Sequence, residues 1–84
     1  MAIWKIVLIA RRKDTNDWKA IGEYEVPVLP RVGEHVTVLE KVDEPPYAYK
    51  VVGVFHPAPH KGLIDVFAVY DGIHGDVQNR LLRS

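Results

Sequence analysis

Residues 18–26 read Trp18-Lys19-Ala20-Ile21-Gly22-Glu23-Tyr24-Glu25-Val26, the cleanest alternation in the chain. Trp18, Ala20, Gly22, Tyr24 and Val26 would face a core, while Lys19, Glu23 and Glu25 face water and Ile21 breaks the pattern. A period of two marks a half-buried strand. Pro27 and Pro30 follow and end it, because neither can donate a ladder hydrogen bond.

Upstream, residues 3–9 form the neighbouring strand. One face carries Trp4, Ile6 and Leu8, the other Ile3, Lys5, Val7 and Ile9. Both faces are largely apolar, so this strand is expected to be covered on both sides, by the domain itself or by a partner. The polar stretch 11–17, with Asp14, Asn16 and Asp17, suits a turn, and the two strands read as a long-looped hairpin.

Downstream, residues 31–34 (Arg-Val-Gly-Glu) form a turn in which Gly33 is free to take positive φ. A third strand over 35–40 turns Val36 and Val38 inward, and the charged loop 41–46 ends in two prolines. The fourth strand, 47–56, has a register conflict: strict alternation groups Tyr49, Val51, Gly53 and Phe55. A bulge at Val52-Gly53 places Tyr49, Val51, Val54 and His56 on one face instead, and a glycine inside a strand favours that reading. The fifth strand, 63–70, turns Ile64, Val66, Ala68 and Tyr70 in and leaves Phe67 and Val69 beside Asp65. Asp71-Gly72 reads as the turn that ends it. In the tail, Val77 and Leu81 lie four residues apart behind a possible Asp76 cap, the mark of a short helix over 76–83.

The chain has 84 residues, enough for a single domain over 1–84 and too few for two. Its thirteen valines and six isoleucines, against six leucines, favour sheet, since branching at Cβ restricts χ1 in a helix. Five short strands separated by turn signals predict a mainly β fold, a small five-stranded antiparallel barrel with a short C-terminal helix. A core of this size is marginal, and with no cysteine it gains nothing from disulfides or thiolate zinc sites.

At Leu29-Pro30-Arg31-Val32-Gly33-Glu34-x-Val36, followed by Tyr49-x-Val51-x-x-Val54-x-His56, the chain resembles small uncharacterised bacterial proteins of the phage or mobile-gene-cassette kind. The resemblance covers residues 27–70. It implies an SH3-like barrel and a prokaryotic source; it implies no activity and carries over no functional residue.

Eleven basic residues balance eleven acidic ones, so no global field draws the chain to nucleic acid or to an anionic membrane. The longest apolar stretch, 6–10, is far short of a membrane span, and the N-terminal Met-Ala-Ile-Trp-Lys lacks the pattern of a signal peptide, so a cytoplasmic setting with no membrane partner is expected. Thr15, Thr37 and Ser84 are the only aliphatic hydroxyls and none lies in a nucleophile motif; Gly72-x-x-Gly75 is too short for a phosphate loop. Glu23 and Glu25 point the same way, as a solvated face does. No enzyme activity and no cofactor are expected. His56 and His60 flank a proline loop and, with His35 or His74, would make a metal site only if the loop folded them together; the expectation is none.

Two surfaces remain. Arg11, Arg12 and Lys13 form a basic cluster which, with Tyr47, Tyr49 and His56, is the candidate contact set for a ligand or for nucleic acid. Ile3, Val7, Ile9, Phe67 and Val69 place bulky apolar groups where strands should meet water; such a patch marks an interface, or else is covered within the chain by Val77, Leu81 and Leu82 of the tail or by the long loops. The sequence therefore predicts an interaction module of unidentified partner that self-associates, most simply as a homodimer. A nucleic-acid-binding barrel and a small-molecule-binding protein are the alternatives.

Overall fold

The computed structural model describes residues 3–12, 16–39, 42–56 and 62–83. Five strands and one helix follow in order: β1 (Trp4–Arg11), β2 (Trp18–Val26), β3 (His35–Val38), β4 (Tyr47–Phe55), β5 (Leu63–Ile73) and α1 (His74–Leu82). The strands form a single sheet in the order β2-β1-β5-β4-β3, curled into a half-barrel.

The expectation of an all-antiparallel sheet is corrected. The hairpin β1–β2 is antiparallel, as are β4–β5 and β3–β4, but β1 and β5 run parallel at the centre. The sheet is mixed because β5 enters beside β1 after a crossover through β3 and β4. Local alternation fixes which face a residue takes and carries no information about that long-range pairing.

The inner face holds the core. Ile6, Leu8 and Ala10 from β1, Ile64, Val66 and Ala68 from β5, Tyr49 and Val51 from β4, and Val38 from β3 are all buried there. Ile21, Val26, Leu29, Val36, Tyr47, Val54 and Tyr70 pack around them. These are the alternate residues expected of half-buried strands. Short β3 lies at one edge and β2 at the other, where Lys19 and a bulge discourage further pairing.

Three irregularities shape the sheet. In β4, Val51 pairs with Ala68 and Gly53 with Phe67, so Val52 is the extra residue of a bulge, as the glycine suggested. Tyr49, Val51 and Val54 therefore share the core face, while His56 lies exposed just past the strand. In β2, Leu8 pairs with Gly22 but Ile9 with Ala20, so Ile21 is extra and packs on the core. That shift corrects the alternation read for residues 18–26: Gly22, Tyr24 and Val26 keep the inner face, but Trp18 and Ala20 take the outer one. In β5, Tyr70 pairs with Tyr49 and Gly72 with Ala48, leaving Asp71 extra. Asp71-Gly72 is therefore a bulge within the strand and not its end; Gly72 takes a φ of 135°, and pairing runs on to Ile73.

The turn before β3 matches the sequence reading. Gly33 has a φ of 96°, the Glu34 amide donates to the Arg31 carbonyl, and the Glu34 carboxylate accepts from the Arg31 amide. The helix begins two residues before Asp76, directly from β5 with Ile73 at the cap and no side-chain capping bond. Asp76 lies in the first turn and Arg80 in the last, each suited to the helix dipole. Val77 is buried with its Cγ2 close to Gly72, whereas Leu81 and Leu82 are exposed.

Candidate functional site

The outer face of the sheet can be laid out in rows from its pairings. The first row is Glu25, Lys5, Leu63; the second Glu23, Val7, Asp65, Phe55; the third Ala20, Ile9, Phe67, Gly53; the fourth Trp18, Arg11, Val69, Lys50. Val7, Ile9, Phe67 and Val69 are thus brought together, half-buried, at the centre of the sheet. Ile3 lies just before β1, 59% exposed. Four of the five residues read from the sequence as a patch thus lie together in the fold, with Ile3 beyond the first row.

Two rings enlarge it. Trp18 and Phe55 meet Phe67 edge-on from either side, at centroid distances of 5.4 and 5.2 Å. Arg11 lies over the Trp18 ring, 5.7 Å from its centroid. Sequence reasoning missed both rings as members of this face. Phe55 follows from the bulge, which turns Gly53 and Phe55 outward together, and the absent Cβ of Gly53 leaves room for the Phe55 ring: one placed there would meet Cε2 at 2.9 Å. For Trp18 the one signal was the break at Ile21, where the alternation of β2 slips by a residue.

The helix covers only the far end of this face. His35 on β3 donates through Nε2 to Asp71 Oδ2 at 2.7 Å, and Arg80 of α1 donates to the same oxygen at 2.7 Å. Burial alone would raise the Asp71 carboxyl, but the His35 hydrogen bond and the Arg80 guanidinium outweigh it and hold it below its usual value. Thr37 Oγ1 shares a 2.9 Å hydrogen bond with His74 Nδ1. A hydroxyl beside an imidazole is part of a hydrolytic triad, yet the nearby Asp71 carboxylate is bound to His35 and Arg80 instead. The cluster ties α1 to β3 and β5.

On the opposite side, the free edges of the half-barrel border a cleft of about 660 Å³. Arg12, Lys19, Ile21 and Tyr24 line it from β2 and the end of β1, and Val38, Leu39, Glu44 and Tyr47 from the other edge. Of the six residues read as a ligand or nucleic-acid set, the five described ones are not brought together. Arg12 and Tyr47 line this cleft, Arg11 lies on the outer face, and His56 is exposed beyond β4. Tyr49 is buried in the core with its ring edge-on to Tyr70, which leaves no face for stacking. Lys13 falls outside the described residues, as does His60. Among the described residues no three histidine or carboxylate side chains gather as a metal site, and no helix is long and apolar enough to cross a membrane.

Comparison with family models, with curated proteins and with solved structures found no match. The geometry of the two faces therefore carries the functional argument.

Proposed function

We propose that the protein is a non-catalytic interaction module that works as a homodimer, two copies meeting through the outer faces of their sheets. The observation that carries this reading is the order of charge along that face. Rows one and two hold Glu25, Glu23 and Asp65 against Lys5, a net charge of −2; row four holds Arg11 and Lys50, a net charge of +2. Between and among them lie Val7, Ile9, Phe67, Val69, Trp18 and Phe55. A two-fold axis lying in the plane of the interface, parallel to the rows and near Ile9 and Phe67, sets the acidic end of one copy on the basic end of the other. Apolar centres then coincide, and the surface is complementary to itself, which an isologous dimer requires. The separation of rows two and four, about 13 Å, lets opposed charges meet around a dry centre.

Self-association also answers the marginal core of a small chain, since a partner that binds only the folded state stabilises it by mass action. The SH3-like kinship and bacterial source belong to the same reading, supported by the resemblance over residues 27–70. Sedimentation equilibrium of the wild type and of Phe55→Glu tests it. Phe55 is 58% exposed, so the substitution leaves the fold intact; the wild type is expected as a dimer and the variant as a monomer with an unchanged circular dichroism spectrum. A wild type that stays monomeric at every concentration contradicts the proposal.

A further inference from the structure

We infer that the cleft between the free edges of β2 and β3 is a nucleotide-binding site, taking an aromatic base against its tyrosines and a phosphate against Lys19 and Arg12. A half-barrel left open between its edges exposes what a closed barrel would bury, and here the opening is built unevenly. Its deep wall is apolar: Val38 is 5% exposed, and Ile21 is half-buried against the core. Its mouth is cationic, with Arg12 and Lys19 both exposed.

Two rings also line the cleft, Tyr47 and Tyr24. The Tyr47 hydroxyl donates to Glu44 Oε2 at 3.1 Å, and its ring packs on Tyr70 at 5.7 Å, so the ring is held in place before any ligand arrives. Tyr24, from the opposite edge, lies over Gly22, where a Cβ would come within 3.1 Å of its hydroxyl oxygen. Fixed aromatic surface beside positive charge suits a flat ring that carries an anion, and small barrels bind nucleotide units by this combination. Glu44 offsets one of the two cations, and its oxygen already accepts from Tyr47; the lining keeps a net positive charge. A volume of about 660 Å³ lies within the usual range for small-ligand sites and admits a mononucleotide. The ligand is a free nucleotide or one unit of a single strand; the chemistry is shared. This site is on the sheet face opposite the dimer surface, and its occupation does not depend on self-association.

Titration of the labelled full chain followed by amide chemical shifts tests the inference, with adenosine monophosphate, adenosine, ribose phosphate and a short oligothymidylate as probes. Adenosine monophosphate is expected to shift Ile21, Tyr24, Val38 and Tyr47 saturably, and adenosine and ribose phosphate each to bind more weakly because each lacks one half of the recognised chemistry. Lys19→Glu, at an exposed position, is expected to weaken binding about ten-fold or more, the scale of one charge-assisted contact; Tyr24→Ala is expected to weaken it while leaving ribose phosphate unaffected. Tighter binding of the oligothymidylate, with a steep salt dependence, identifies the strand as the source; equal or weaker binding identifies the free nucleotide. No saturable shift with any probe at millimolar concentration overturns the inference. So do shifts that map to Trp18 and Phe67, or undiminished binding by Lys19→Glu.

Discussion

Gly72 and Asp71 show how much of this fold depends on single positions. Gly72 holds a φ of 135° with Val77 Cγ2 only 3.3 Å from where a Cβ would stand. Gly72→Ala is expected to cost about 1–3 kcal/mol, visible as a fall in Tm of several degrees for a domain of this size. Asp71 next to it has a folded-state pKa below the ordinary 3.8. The folded chain thus holds that proton less readily than the unfolded one. The stability this supplies is complete above the ordinary value and lost as pH falls through the lowered one. Asp71→Asn should therefore flatten the dependence of stability on pH below about 4 and lower stability at neutral pH, as urea titrations across that range would show. Dependence unchanged by the substitution would mean that the carboxylate is not what ties His35 and Arg80 together. At this scale much was legible: Gly33 at the turn and Gly53 at the bulge announced themselves. Gly72 was read as a chain reversal because Asp-Gly signals a turn and a bulge equally well.

Among elements, face assignment was legible where alternation was unbroken and failed where a bulge intervened. In β1 and β5 the alternation ran cleanly, and Ile6, Leu8, Ile64, Val66 and Ala68 are buried as their spacing implied. In β2 the one extra residue, Ile21, moved Trp18 from the expected core to the outer face, because a single slip exchanges the two sides of a strand. The parallel contact of β1 with β5 was not legible at all, since pairing between strands some sixty positions apart leaves no local mark. The helix was legible in type, through Val77. Its apolar anchorage is slight: Val77 is its buried residue, it starts without a side-chain cap, and the exposed Arg80–Asp71 and His74–Thr37 bonds also hold it to the sheet. Amide exchange is accordingly expected to be fastest in α1 and slowest in β1, β4 and β5. Val77→Ala, with loss of about 1–2 kcal/mol at a buried site, should hasten exchange in the helix while leaving the central strands protected. Equal protection of helix and sheet would show that α1 unfolds only with the whole domain.

For the whole molecule, the outward placement of Val7, Ile9, Phe67 and Val69 was legible, because bulky residues in outward positions are conspicuous in an alternating pattern. The rings and the charge order of the candidate interface were not, since both depend on which strands lie side by side. The neutral overall charge concealed a face that is acidic at one end and basic at the other. Such a dimer should weaken as salt rises, with the apolar centre retaining part of the affinity; sedimentation at low and high ionic strength checks this. A dimer indifferent to salt would remove the charge order from the account. The most direct test of self-association is light scattering coupled to size exclusion at two protein concentrations. A dimer gives a mass near twice the 9.5 kDa of the chain, falling towards 9.5 kDa on dilution, and that is the expected result. A mass of 9.5 kDa at both concentrations would contradict it.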